Sequence, residues 1–224
     1  MEAKEKLISL FPLPATVFFP GTMLPLHIFE PRYKQMMADA LENDRLIGMV
    51  LLKPGWESNY YANPELVSMG CLGHIDKHTL LPEEKYNLVL KGLSRFRLLK
   101  EIPGKTYRRA EVELLNEVND QTLDRGPNEP RDRLIEHCQE YVRLLPEGAR
   151  QRSETHWHGF QKLSELVDQM AFKFHPTVEQ KQSLLEELDV NKRMQFIHDM
   201  FDMKIRLVNI SRKFMSEGTD LRMN

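Results

Sequence analysis

The sequence predicts an α+β fold in which a curled β-sheet half is followed by an α-helical bundle. Three observations lead there. Before position 118 the apolar residues fall in short runs with a spacing of about two, and after position 130 they recur at about 3.6. Gly92 sits inside a long strand-like run, where a bulge or sharp bend lets a sheet close on itself. Between the halves, NDQTLDRGPNEP at 119–130 has no apolar period and is rich in turn formers, which places a boundary there. Two domains are expected: residues 1–118 with one helix near 31–42, and residues 119–224 with a long terminal helix.

In the first half, Tyr33, Met36, Met37, Ala40 and Leu41 share a face at helical spacing. Pro31 suits the first helical position, where an N–H would have no intrahelical partner. Residues 46–53 form a near-continuous apolar run, as in a strand covered on both faces. Over 87–99, Leu88, Leu90, Phe96 and Leu98 are assigned to one face and Lys91, Arg95 and Arg97 to the other. Gly104 reads as a turn, and Ala110, Val112 and Leu114 alternate with Glu111 and Glu113 in a half-exposed strand.

In the second half, a helix from Pro130 turns Leu134, Cys138, Tyr141, Val142 and Leu145 inward and stops before Pro146. A second carries Phe160, Leu163, Val167, Met170 and Phe174 and ends at Pro176. Thr177 and Gln180 have the spacing of a capping box, opening a short helix with Leu184, Leu185 and Leu188. Asp189 is placed to cap a last helix striped by Val190, Met194, Ile197, Phe201, Ile205 and Val208, with Gly218 just past its end. That stripe is expected to pack within the bundle, since Lys204 breaks the strict heptad of a coiled coil.

Composition removes several classes. A hydrophobic content of 41% supports a buried core and excludes a disordered chain. The 31 basic and 33 acidic side chains nearly cancel, and residues 1–118 carry 15 of each, so neither half is a basic domain suited to nucleic acid or anionic membranes. Two cysteines, Cys71 and Cys138, are too few for a stapled secreted scaffold and fit a reducing compartment. Lys4 and Lys6 before an apolar stretch imitate a signal peptide, but Pro12, Pro14 and Pro20 break any helix there. No apolar run reaches the ~18 residues of a membrane span, and a cytoplasmic location is expected.

The strings LFPLP at 10–14, VFFPG at 17–21 and LPLHIFEPRY at 24–33 closely resemble the start of the Lon protease N-terminal, substrate-binding domain family. MGCLGHI at 69–75 is similar to the family's Gly-x-x-Gly-x-Ile strand, and KGLSRFR at 91–97 to its Gly-x-x-Arg-Phe segment. KQSLLE at 181–186, followed by Arg193, resembles its Lys-Gln-x-x-Leu-Glu pattern. The resemblance covers most of residues 7–210. It implies a PUA-like β pseudobarrel followed by a helical bundle. It further implies a protein- or peptide-binding role, for unfolded or apolar segments or a partner protein, in protein quality control or as an adaptor.

A Lon protease also needs an AAA+ motor and a Ser-Lys peptidase. The phosphate-cradling G-x4-G-K-[ST] loop is missing, because Leu99 occupies the first glycine's place before Gly104-Lys105-Thr106, and no Ser-Lys peptidase motif is recognisable. A freestanding, non-enzymatic member is therefore expected, with no catalytic residue and no cofactor.

The loop at 54–64 (PGWESNYYANP) places Trp56, Tyr60 and Tyr61 among turn formers, either as recognition aromatics or folded back over the barrel mouth. Phe29 and Tyr33 join them as candidate contacts from the most family-like stretch, with fold specification as their other role and Phe29 then plugging the core. Some PUA domains bind RNA, and Arg95, Arg97 and Arg108 would serve that alternative, although Glu101, Glu111 and Glu113 interleave with them. Arg95, next to Phe96, is otherwise expected to hold a turn or a carboxylate through its planar fork. Cys71, His74 and His78 have C-x2-H-x3-H spacing, and His156 and His158 flank Trp157. No second paired motif closes a four-ligand set, so no metal is expected.

Overall fold

The computed structural model describes residues 4–58, 63–123, 129–153, 157–174 and 177–220. The strands are β1 (Lys4–Leu13), β2 (Met23–Ile28), β3 (Leu46–Leu52), β4 (Leu66–Leu81), β5 (Lys85–Glu101) and β6 (Arg109–Leu114). The helices are α1 (Pro31–Glu42), α2 (Glu129–Leu144), α3 (Glu147–Ser153), α4 (Leu163–Lys173), α5 (Val178–Glu186) and α6 (Val190–Asp220). This is the α+β composition that the change of period predicts. Contacts separate the described residues into two units, one within 4–118 and 177–188 and the other within 119–174 and 189–220. The segment containing α5, read from sequence with the later helices, thus has its contacts in the β unit.

In that unit the sheet order is β2-β5-β4-β3-β1-β6, and β5 also pairs with β6. The second pairing joins β1, β3, β4, β5 and β6 into a closed ring. β1 and β3 are parallel while the other pairs are antiparallel. A parallel pair requires a crossover, and the chain through β2 and α1 provides it. Ile8, Leu10, Val50, Leu72, Phe96, Ala110 and Val112 fill one core of the ring. α1 buries Tyr33, Met36, Met37 and Ala40, and its Tyr33 ring lies 4.4 Å from that of Phe11 on β1.

β5 needs its length because it serves three partners. Its register against β4 shifts between Leu72 and Gly73, opposite Ser94 and Gly92, leaving Leu93 as the extra residue of a bulge. Gly92 is also where another segment crosses: Gly21 N–H donates to the Gly92 carbonyl at 3.0 Å, and Gly92 N–H to the Thr22 carbonyl at 2.9 Å. A Cβ on Gly92 would stand 2.0 Å from the Phe19 carbonyl oxygen, so the crossing admits only glycine. Gly104 lies in the β5–β6 connection at φ +106, in the left-handed region.

Alternation places Arg95 opposite Phe96, as expected, yet Arg95 is only 1% exposed. The outer face there is covered by α5, whose Gln182 Nε2 donates to the Met69 carbonyl of β4 at 3.2 Å. The capping box of α5 is present, with Thr177 N–H donating to Gln180 Oε1 at 2.9 Å and Gln180 N–H to Thr177 Oγ1 at 3.3 Å.

In the helical unit, α6 packs with α2 and α4, and Tyr141, Trp157, Phe174 and Phe201 form a ring cluster. Asp189 Oδ1 accepts from the Asn191 and Lys192 N–H groups at the start of α6, the expected cap. Three sequence expectations differ from the structure. α3 follows Pro146, where polar EGARQRS gives no apolar stripe to read. Phe160 precedes α4 because the Glu165 carboxylate accepts from the Gln161 and Lys162 N–H groups and sets the helix start beyond it. α6 continues through Gly218 to Asp220, since one interior glycine costs only about 1 kcal/mol against alanine. Among the described residues, no helix is long and apolar enough to cross a membrane.

Candidate functional site

Among the described residues β2 pairs only with β5 and so forms an open edge of the sheet. Its side chains alternate: Leu24 and Leu26 are half-buried and Ile28 is buried, while Met23, Pro25 and His27 face water. Ile28 takes the inward place at the strand end, which sends Phe29 outward to 57% exposure rather than into the core. The His27 ring stacks on Phe29 with centroids 5.9 Å apart, and His27 Nδ1 lies 2.7 Å from Asn87 Oδ1 on β5. Met23, Pro25, His27 and Phe29 therefore form a mostly apolar strip along an edge, with one ring held by a neighbouring ring.

Tyr33 is separated from this strip. It lies on the buried face of α1, with the Arg32 guanidinium 4.6 Å above its ring. Trp56 is half-buried in a 3-10 turn at Trp56–Ser58, and Tyr60 and Tyr61 lie outside the described residues. The three candidate arginines each hold a carboxylate. Arg95 Nη1 donates to Glu117 at 2.5 Å and its Nε to the Leu185 carbonyl at 2.9 Å. Arg97 pairs with Glu113 at 2.8 Å across the β5–β6 register. Arg108 grips both oxygens of Glu101, at 2.7 and 2.6 Å, and donates to the Pro64 carbonyl. These contacts use the guanidinium forks within the sheet rather than gathering them into one basic face.

A polar cleft of about 430 Å³ opens between β1, the end of α1 and the β5–β6 connection, lined in part by Ser9, Asp39, Asn43, Lys105, Tyr107 and Arg109. Asp39 accepts from Tyr107 Oη at 2.6 Å and Lys105 Nζ at 2.9 Å. The Tyr107 hydrogen bond, then that of Lys105, holds its pKa down at about 2. Such a carboxylate is a weak base at neutral pH and suits structural anchoring more than proton transfer. Sequence reading missed the cluster, because Asp39 lies off the apolar stripe of α1 and its partners are more than sixty positions away.

The two cysteines are enclosed. Cys71 and Cys138 are buried thiols, and burial pushes the Cys138 thiol up to about 12, far from a nucleophilic thiolate. Cys71 lies in the core while His78 is exposed, and His156 lies outside the described residues. Among the described residues, the histidines and carboxylates that do converge are His137, His198 and Asp202.

Comparison with known proteins agrees with this fold. The model of the family described as the ATP-dependent protease La (LON) substrate-binding domain matches residues 8–202. Lon protease 2 of Myxococcus xanthus is 28% identical over 218 residues, and Lon protease of Anaeromyxobacter dehalogenans is 26% identical over 215; each alignment covers 94% of this chain. The chain spans about a quarter of the length of these relatives, 25% in each case. Among solved structures, the N-terminal domain of Mycobacterium avium complex Lon protease superposes with a TM-score of 0.65 at 16% identity, covering 88% of this chain and 98% of that one. The Lon N-terminal domain protein from Xanthomonas campestris gives 0.59 at 21% identity, covering 86% and 96%. With the family match running from β1 into α6, the chain belongs to the LON substrate-binding domain family.

Proposed function

We propose that this chain is a non-catalytic module that binds unfolded or apolar polypeptide segments, or an apolar surface of a partner protein, in protein quality control or as an adaptor. The observation that carries this reading is the exposed strip Met23, Pro25, His27 and Phe29 on the edge strand β2. An extended segment laid along an edge can use backbone groups for affinity and side-chain contacts for selection. Pro25 has no N–H to offer, so apolar contact carries more of the interaction than a continuous ladder. Trp56, with Tyr60 and Tyr61, adds aromatic contact in the same reading. Tyr33 acts indirectly by holding α1 on β1. The matched family is described as the substrate-binding domain of an ATP-dependent protease, which supports polypeptide as the ligand class.

The paired arginines give the RNA alternative no observation of its own. The direct test is fluorescence anisotropy of labelled, permanently unfolded polypeptides with the wild-type chain and with Phe29→Ala and Trp56→Ala. Burying Phe29 contributes about 1.5–3 kcal/mol, so Phe29→Ala should weaken binding by about ten- to a hundredfold. Absence of saturable polypeptide binding, or equal binding by Phe29→Ala, overturns the reading, as does a ligand that proves to be RNA with affinity falling steeply in salt.

A further inference from the structure

We infer that the helical unit carries a binding site for a divalent transition-metal ion of the zinc class, with His137, His198 and Asp202 as its ligands. His198 and Asp202 stand four residues apart on α6 and so share a face, one turn from each other. His137 projects from α2, which packs against α6. One ligand atom from each of the three lies within 4.8 Å of the others. Two donors on one zinc ion, each about 2.0–2.2 Å from it, stand at most a little over 4 Å apart, so modest side-chain rotation closes the set.

Two further features favour an ion over a simple pair. His137 Nδ1 is removed from water and makes no hydrogen bond, although Asp202 Oδ1 lies 3.3 Å away. The imidazoles of His137 and His198 are 4.2 Å apart between centroids, inclined at 37°. At that separation both rings can turn a nitrogen toward one shared cation. A ring nitrogen that makes no hydrogen bond, beside a second imidazole and a carboxylate, is an arrangement suited to ligating a cation.

The chemistry selects the class of ion. Two imidazoles and one carboxylate suit zinc and its first-row neighbours rather than calcium or magnesium, which take oxygen donors. Three protein ligands leave a coordination position open. His198 also lines a cleft of about 270 Å³ with Glu129, Pro130, Arg133, Met194 and Gln195, through which water or a side chain of a bound polypeptide could reach that position. The site would also tie α2 to α6 across sixty-one positions of sequence, a cross-link that neither helix signals alone.

The test is calorimetric titration of the untagged chain with zinc chloride, accompanied by cobalt(II) titration read by its visible ligand-field absorption. One ion per chain is expected, with tetrahedral or five-coordinate cobalt bands and a metal-dependent rise in Tm. His198→Ala and Asp202→Asn should each weaken zinc binding by more than the ~10- to 100-fold that loss of an outer partner costs. His78→Ala, which lies in the other unit, should bind as the wild type does. Circular dichroism identifies any variant that fails to fold, and His137→Gln then provides the third ligand test. Absence of saturable zinc binding at micromolar metal overturns the inference. So does binding that folded His198→Ala and Asp202→Asn retain unchanged.

Discussion

Arg95 and Glu117 form a charge pair in which the guanidinium is 1% exposed and the carboxylate 22%. The same guanidinium donates to the Leu185 carbonyl at the end of α5, so one buried cation joins β5, the chain after β6 and α5. Glu117→Ala would leave that cation without its carboxylate, and the loss of one partner of a buried pair costs about 3–5 kcal/mol. Urea denaturation should place the midpoint of Glu117→Ala correspondingly lower. Arg95→Lys should fall in the same direction, because an ammonium cannot reproduce a fork bonded at two points.

The Asp39–Tyr107 contact predicts an acid-sensitive increment of stability. Asp39 has a folded pKa of about 2, below its ordinary 3.8. A depressed carboxylate contributes stability that is present above the unfolded value and lost as pH falls through the folded one, here between about 4 and 2. Because the side chain remains 21% exposed and its lysine partner 42% exposed, the contribution is at most about 1 kcal/mol. Asp39→Asn should lower Tm slightly at pH 7 and lose its difference from the wild type near pH 2.

At the Gly92 crossing, substitution meets backbone instead of a movable side chain. Gly92→Ala would set a methyl group 2.0 Å from the Phe19 oxygen. The two hydrogen bonds linking Gly92 to Gly21 and Thr22 would part, and a loss of about 3 kcal/mol is expected. Hydrogen exchange should show the change at the amides of Gly21 and Gly92 first.

Phe29 separates binding from folding. At 57% exposure its truncation should alter stability by no more than about 0.5 kcal/mol. A variant with unchanged Tm and weakened polypeptide binding would meet the expectation for a contact residue. A large fall in Tm would instead reveal a packing role.

Much of the fold was readable because period and punctuation are local. The apolar run of β3, the stripe and first-turn proline of α1, and the caps at Thr177 and Asp189 each lie within a few residues of the structure they specify. The candidate contacts were less readable. Alternation alone could not tell whether Phe29 turned inward, since that depended on Ile28 occupying the inner place at the strand end. Arg95, Arg97 and Arg108 look like one basic cluster in sequence, but their carboxylates come from β5, β6 and beyond.

By itself, the sequence determined the α+β order, the helix caps and the family, all properties of short segments or ordered motifs. Tertiary structure alone decided that α5 covers β4 and buries Arg95, that Asp39 meets Tyr107, and that His137 meets His198 and Asp202. The physical reason is distance along the chain. Burial and charge pairing depend on whatever the fold brings alongside a residue, and for these groups the partner stands between 22 and 113 positions away.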